Sequence, residues 1–188
     1  ACVGNRPDFG FGGASAALSA GQATDEALLA TLFGDDLGAA VPFGAPDAAV
    51  DACQQAVTKA LLKCHDTRVK TYAKCNRAAL AAGATSEAAT IACMGDDAKG
   101  KIAKSCDLSA GPSVDKVRTA IASSCAGADL QAAFPRCNTT DAEALHACLT
   151  DSEACVACNT LAEMNTTQLA TDCDALDNGA ADDSCIAI

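Results

Sequence analysis

The chain has 188 residues, 13 of them cysteines, and a formal net charge of −11 at pH 7. Cysteines at this density are typical of an oxidising compartment, which argues against a cytosolic protein and predicts a secreted or cell-surface one. The acidic balance argues against nucleic acid as a partner, and because no apolar run reaches about 18 residues we expect no membrane span. The chain starts at Ala1 without Met, which we interpret as the start of a mature product after removal of a signal peptide.

Charge and side-chain size vary along the chain. Residues 1–58 and 119–188 are acidic, whereas residues 59–118 are basic. We interpret this pattern as a basic helix folded against acidic neighbours, with head-to-tail contact between copies as the alternative. Aromatic residues make up only 3% of the chain. Disulfides should therefore supply part of the stability that large core residues normally supply, at about 2–4 kcal/mol each.

Residues 1–45 differ in composition from the rest of the chain. They are rich in glycine, alanine and serine, and they include a Phe/Gly run at 8–13. A short helix is predicted at 24–33, capped by Thr24. Only Cys2 is available to tie this segment down. We therefore expect residues 1–45 to form an arm or a loosely packed cap, followed by a disulfide-rich helical domain at 46–188.

One long helix is predicted between Pro46 and Gly83, because neither proline nor glycine lies between them. Cys53, Cys64 and Cys75 recur every eleven residues, about three turns, so they should form a row on one face. Neighbours in the row stand about 16 Å apart, which predicts a disulfide from each to a different element. A kink at 63–70 is the weak point of this prediction. The predicted inner face consists of Val50, Cys53, Val57, Leu61, Cys64, Tyr72, Cys75 and Ala79.

Shorter helices are predicted in the remainder of the chain. They cover 87–94, a marginal segment at 97–105 interrupted by Gly100, and a helix capped by Ser113. A capping box from Thr140 to Glu143 opens the next helix, and a separate last helix starts at 151 or 152. Strand patterning is nearly absent. The predicted fold is an all-α, disulfide-stapled helical bundle with one long helix.

The cysteines are expected to pair almost completely, although the sequence leaves their connectivity open. Cys185 is expected to close an acidic turn opposite Cys173. Because thirteen is odd, one cysteine remains, and we predict that Cys2 is the odd or intermolecular thiol. The predicted disulfide cysteines are Cys53, Cys64, Cys75, Cys93, Cys106, Cys125, Cys137, Cys148, Cys155, Cys158, Cys173 and Cys185.

Cys155 and Cys158 form the only Cys-x-x-Cys motif. We interpret them as structural cysteines with different partners, and a labile redox disulfide is the alternative. Zinc is disfavoured, because structural zinc ligands normally come as two close pairs. His146 is expected at the surface or rim. His65 directly follows Cys64 and points about 100° away from it, which does not suit a nucleophile and its base.

The acidic C-terminal turn is the most metal-like segment. Asp174, Asp177 and Asp182 could bind Ca²⁺ as hard oxygen ligands, but their spacing does not match the EF-hand pattern. A solvated acidic turn is the favoured interpretation, and no other cofactor is predicted.

Three segments carry a resemblance to other proteins. They are Cys53-Gln-Gln-Ala-Val-Thr-Lys-Ala-Leu-Leu-Lys-Cys64, Lys99-Gly-Lys-Ile-Ala-Lys-Ser-Cys106, and the ending from Asp172-Cys-Asp-Ala-Leu-Asp-Asn-Gly179 to Ser184-Cys185. The chain resembles, over about residues 50–188, a group of uncharacterised exported Ala/Cys-rich proteins of environmental Gram-negative bacteria. The resemblance implies export and disulfides, and it implies no known activity.

The sequence contains no catalytic signature, so we expect a protein that is not an enzyme. The leading hypothesis is a structural subunit of an extracellular filament or surface assembly, a homo-oligomer or homopolymer that self-associates through residues 1–45. One alternative is a secreted monomeric binding module for calcium or a small apolar ligand, which a monomer in solution with a ligand-sized apolar cavity would favour. The second alternative is an extracellular thiol–disulfide redox protein that uses Cys155 and Cys158.

Overall fold

The computed structural model describes residues 13–34, 36–40, 48–86, 88–106, 115–165 and Cys173, which contain helices and no strand. The all-α prediction is therefore confirmed for these residues. None of the described helices is long and apolar enough to cross a membrane. The helices are α1 (Ala14–Phe33), α2 (Leu37–Ala40), α3 (Ala48–Ala81), α4 (Ala88–Asp96), α5 (Ala103–Cys106), α6 (Lys116–Ser124), α7 (Leu130–Ala133) and α8 (Ala142–Asn165).

The long helix α3 is the centre of the bundle. It runs without interruption through 63–70, so the structure has no break at the predicted weak point. Every residue of the predicted inner face is buried, together with Gln54, whose side-chain amide donates to the Ala133 carbonyl oxygen at 2.9 Å. The other described helices except α1 and α2 pack on α3. The period of the apolar residues was sufficient to predict this element.

The cysteine row on α3 bonds to three different elements, as predicted. Cys75 bonds to Cys93 in α4, Cys64 to Cys106 in α5, and Cys53 to Cys125 at the end of α6. The bridges are nested, with sequence separations of 18, 42 and 72. The chain after α3 therefore returns along it in the opposite direction.

Aspartate side chains accept backbone hydrogen bonds at the starts of the two helices that follow α4. Asp97 accepts hydrogen bonds from the backbone N–H groups of Lys101, Ile102 and Ala103, just ahead of α5. Asp115 caps α6 and accepts from the backbone of the second and third helical residues. The prediction of Ser113 as this cap is corrected, because α6 begins after Asp115 and Ser113 lies outside the described residues.

The last two predicted helices are one helix, α8, so the predicted start at 151 or 152 is wrong. No glycine or proline interrupts Ala142–Asn165. Thr150, just before the predicted break, turns its hydroxyl back to the His146 carbonyl oxygen at 2.9 Å. Its polar group is thus satisfied inside a continuous helix.

The expectation of a loosely packed arm is corrected for residues 14–33. They form the 20-residue helix α1, which packs along α8. Leu28, Leu32 and Phe33 belong to the same core as α3 and α8, and Phe33 stacks on Phe134 with ring centroids 5.7 Å apart. The predicted helix at 24–33 was too short, because α1 begins at Ala14, and Thr24 lies inside the helix instead of capping it. Contact between subunits through residues 1–45 remains a prediction.

Leu32→Ala should lower the free energy of unfolding by about 2–5 kcal/mol, because Leu32 is fully buried and its loss leaves a cavity. Leu18→Ala is the matched control, since Leu18 lies on the same helix and is 67% exposed, and its effect should stay within about 0.5 kcal/mol. Urea denaturation followed by circular dichroism measures both. Equal effects of the two substitutions would contradict the placement of α1 in the core.

Candidate functional site

A cleft of about 360 Å³ lies between α1 and α8. Its α1 wall consists of Ala23, Thr24 and Ala27. Small side chains let the two helices run together without filling the space between them, which explains why the cleft forms here. The α8 wall consists of Val156, Asn159, Thr160, Ala162 and Glu163.

Two buried threonines join the walls of the cleft. The Thr24 and Thr160 hydroxyl oxygens lie 2.6 Å apart. Each also lies close to a carbonyl oxygen of its own helix, Thr24 at 2.6 Å from Ala20 and Thr160 at 2.7 Å from Val156. The two threonines have only two hydroxyl protons for these three short contacts. The lone pairs of these oxygens can accept a further hydrogen bond from a donor in the cleft.

The charge at the mouth of the cleft is acidic. Glu163 is exposed on the rim, and none of the lining residues is basic. Asn159 donates toward the Cys155 sulfur, with 3.7 Å between nitrogen and sulfur. The cleft therefore combines alanine and valine surface with hydrogen-bond acceptors and one carboxylate, an arrangement that suits a ligand carrying a donor or a positive charge.

The prediction that His146 lies at the surface or rim is wrong, because its side chain is 0% exposed. Its Nε2 contacts Asp115 Oδ2, while Asp115 Oδ1 accepts the capping hydrogen bonds of α6. His146 Nδ1 is buried and has no hydrogen-bond partner, which favours the tautomer whose proton is on Nε2 and is donated to Asp115. Burial lowers the pKa of His146 from its ordinary value of 6.5, against the opposing effect of Asp115. Neighbouring Glu143 is instead exposed and pairs with Arg118.

A second buried polar cluster lies where α3, α5 and α8 meet. Glu153 is 0% exposed, and its Oε2 lies 2.7 Å from Arg68 Nε. Its Oε1 lies 3.4 Å from His65 Nδ1, on the same face of α3. The Cys64–Cys106 disulfide packs against the same carboxylate, with Cys64 Sγ 2.7 Å from Oε2. Sequence reasoning missed this cluster, since Glu153 is 85 residues from Arg68 and carries no local motif.

Cys155 and Cys158 do not bond to each other. Cys158 bonds to Cys173, and Cys155 is in a separate disulfide. This arrangement confirms the interpretation of two structural cysteines with different partners. It also corrects the expectation that Cys173 faces Cys185 across the acidic turn, because Cys173 is committed to α8.

Several predicted residues lie outside the described part of the chain. They are Cys2, Cys185 and the three candidate calcium ligands Asp174, Asp177 and Asp182. The remaining described bridge joins Cys137 to Cys148, where it ties the start of α8 to the segment that precedes it.

A scan against protein-family models and searches of curated proteins and of solved structures found no match to this chain. The function must therefore be inferred from the chemistry of the sites themselves.

The stability of the protein should fall as the pH drops below about 6.5, because the lowered pKa of His146 means that the unfolded chain binds a proton there that the folded chain does not. The protonation of His146 does not affect the stability well above pH 6.5, and the stability decreases as the pH falls from there toward the lower pKa of the folded state. The free energy of unfolding changes by no more than about 1.4 kcal/mol per pH unit. Urea denaturation between pH 5.5 and 7.5 measures the slope. His146→Gln should flatten it, and an unchanged slope in that variant would contradict the assignment.

Arg68→Met should lower the free energy of unfolding by about 3–5 kcal/mol at pH 7, because it leaves the Glu153 carboxylate buried without its cation. Adding Glu153→Leu should recover most of the loss, since the uncompensated charge is then gone. Lys70→Met breaks the exposed pair with Asp66 and should cost less than about 1 kcal/mol. Equal losses for Arg68→Met and Lys70→Met in urea denaturation would contradict a buried ion pair.

Proposed function

We propose that the chain is a secreted, non-enzymatic binding protein whose ligand occupies the cleft between α1 and α8. The observation that carries this proposal is the size of the cleft, about 360 Å³. Binding sites for small molecules typically measure about 300–1,000 Å³ and combine apolar walls with a few polar groups. A monomer in solution with a ligand-sized apolar cavity was expected to favour a binding module, and the cleft has the expected size with a lining that is part apolar and part polar.

The lining favours a small amphipathic amine as the ligand. An alkyl chain would contact Ala23, Ala27 and Val156, where burial of apolar surface contributes about 25 cal/mol per Å². An ammonium group would donate to the hydroxyl oxygens of Thr24 and Thr160 and approach the Glu163 carboxylate at the rim. The net charge of −11 would attract the same cation over a longer distance.

The location of the cleft supports a binding role. Residues 14–33 contain no cysteine, so α1 itself carries no disulfide. The helices α3 to α6, in contrast, are joined by three bridges. Because α1 carries no disulfide of its own, it can move relative to α8 to admit a ligand while the stapled part of the bundle stays fixed.

Assembly into a filament through residues 1–45 remains a prediction that competes with this proposal. The described part of that segment supports it weakly, since α1 uses Leu28, Leu32 and Phe33 in the core of its own chain. Native mass measurement separates the two: a monomer favours the binding protein, and a polydisperse polymer favours the filament subunit.

Hexylammonium should bind to the protein, and hexanoate, which has a matched chain and the opposite charge, should not.

Ala27→Leu should abolish hexylammonium binding because it places three more carbons in the cleft, whereas Ala78→Leu, at an exposed position of α3, should leave that binding unchanged. Glu163→Gln should weaken binding about two- to fivefold, the range of an exposed charge pair. Titration calorimetry gives the affinities, and amide chemical shifts locate the ligand.

Two outcomes would overturn the proposal. One is equal binding of hexanoate and hexylammonium, which would remove the argument from the acidic lining. The other is tight hexylammonium binding in a folded Ala27→Leu variant, which would place the ligand elsewhere.

A further inference from the structure

The cluster around Glu153 has a feature that its ion pair with Arg68 does not explain. Glu153 Oε2 lies 2.7 Å from Cys64 Sγ and 3.8 Å from Cys106 Sγ. A disulfide sulfur carries no proton, so in the oxidised protein these contacts are not hydrogen bonds. Glu153 Oε1 and His65 Nδ1 are both buried without a hydrogen-bond partner. A buried carboxylate thus faces groups that do not satisfy it.

Three side chains supply a set of metal-ligand atoms. Both sulfurs and a carboxylate oxygen of Glu153 lie within 4.8 Å of one another, and among the described residues this is the one group of three such atoms. Two thiolates and a carboxylate are ligands that Zn²⁺ takes, and in zinc sites with three protein ligands water fills the fourth position.

We propose that reduction of the Cys64–Cys106 disulfide converts this cluster into a Zn²⁺ site. Its protein ligands are Cys64, Cys106 and Glu153. The proposal is independent of the ligand in the α1/α8 cleft.

The chemical step balances with a phosphine as the reductant. The phosphine gives two electrons to the S–S bond and takes up the oxygen of a water molecule, whose two protons convert the sulfurs into thiols. Zn²⁺ then displaces both thiol protons to solvent. Zinc–sulfur bonds of about 2.3 Å place the two sulfurs about 3.8 Å apart. The Cα–Cα distance of 5.6 Å allows this separation by side-chain rotation alone.

The cluster around Glu153 is electrically neutral in both the oxidised and the zinc-bound state, so both states can be buried. In the oxidised state the charge of Glu153 is cancelled by Arg68. In the zinc state two thiolates and the carboxylate are cancelled by Zn²⁺ together with Arg68. Neither state buries a net charge, which would otherwise cost several kcal/mol.

The cysteine spacing in the sequence, which disfavoured zinc, could not predict this arrangement. The ligands come from α3, α5 and α8, with separations of 42 residues between the cysteines and 47 from Cys106 to Glu153. They meet because the return of the chain along α3 brings α5 beside the cysteine row, and α8 packs on the same helix.

The first test uses a variant that keeps two of the three ligands, Cys64 and Glu153, and needs no global reduction. Cys106→Ser frees the Cys64 thiol beside Glu153 while the other bridges stay formed. Cys125→Ser is the matched control, because it frees Cys53, an equally buried thiol on the same face of α3. Titration with Co²⁺, followed by the thiolate-to-cobalt charge-transfer band, should give one site in Cys106→Ser with at least tenfold higher affinity than in Cys125→Ser. Adding Glu153→Gln to Cys106→Ser should remove that difference.

A second measurement uses the wild-type chain and remains decisive if Cys106→Ser does not fold. Under graded phosphine reduction, Zn²⁺ should slow alkylation of Cys64 and Cys106 at least tenfold, and should leave Cys53 and Cys125 unaffected. Equal Co²⁺ binding by the two folded serine variants, or equal alkylation of all four cysteines with and without Zn²⁺, would overturn the proposal.

Discussion

The eleven-residue repeat of cysteines on α3 is the constraint on which the rest of the structure depends. Since Cys53, Cys64 and Cys75 share one face and cannot bond to one another, the chain that follows must return along that face to reach them. The nested bridges close loops of 18 to 72 residues, for which the chain-entropy model gives about 3 to 4.5 kcal/mol each when considered alone. An outer bridge contributes less once an inner one has formed, because its remaining loop is shorter. The order of α4, α5 and α6 along α3 follows from this pairing.

The sequence predicted the elements whose evidence is local. The absence of proline and glycine between 46 and 83 located α3, and the period of its apolar residues identified every buried residue of that helix except Gln54. The extent of α1 could not be found in this way, because residues 14–23 carry few large apolar side chains and most of them are exposed, so they show no apolar pattern. The division of α8 was a false boundary: Asp151 and Ser152 are good capping residues, and only the tertiary structure reveals that the helix continues.

The candidate sites were less predictable than the fold for a physical reason. The cleft depends on the absence of side-chain volume between α1 and α8, and a sequence of alanines and threonines does not specify which helices will meet. The buried polar pairs join residues far apart in the chain, 31 residues for Asp115 and His146 and 85 for Arg68 and Glu153. A lone histidine or glutamate in an amphipathic pattern is normally assigned to the surface. Burying such a residue is unfavourable unless a side chain from another helix pairs with it.

The scarcity of aromatic residues connects the disulfides to the cleft. A bundle with 3% aromatic residues has few side chains large enough to fill the space between helices. On α1, Leu28, Leu32 and Phe33 belong to the core, and the cleft lies next to them, at Ala23 and Ala27, whose side chains are too small to fill it. Unfilled space lowers stability, and the bridges along α3 offset that loss without occupying volume in the cleft. The disulfides therefore offset the cost of the unfilled space beside α1, a helix that carries no cysteine of its own.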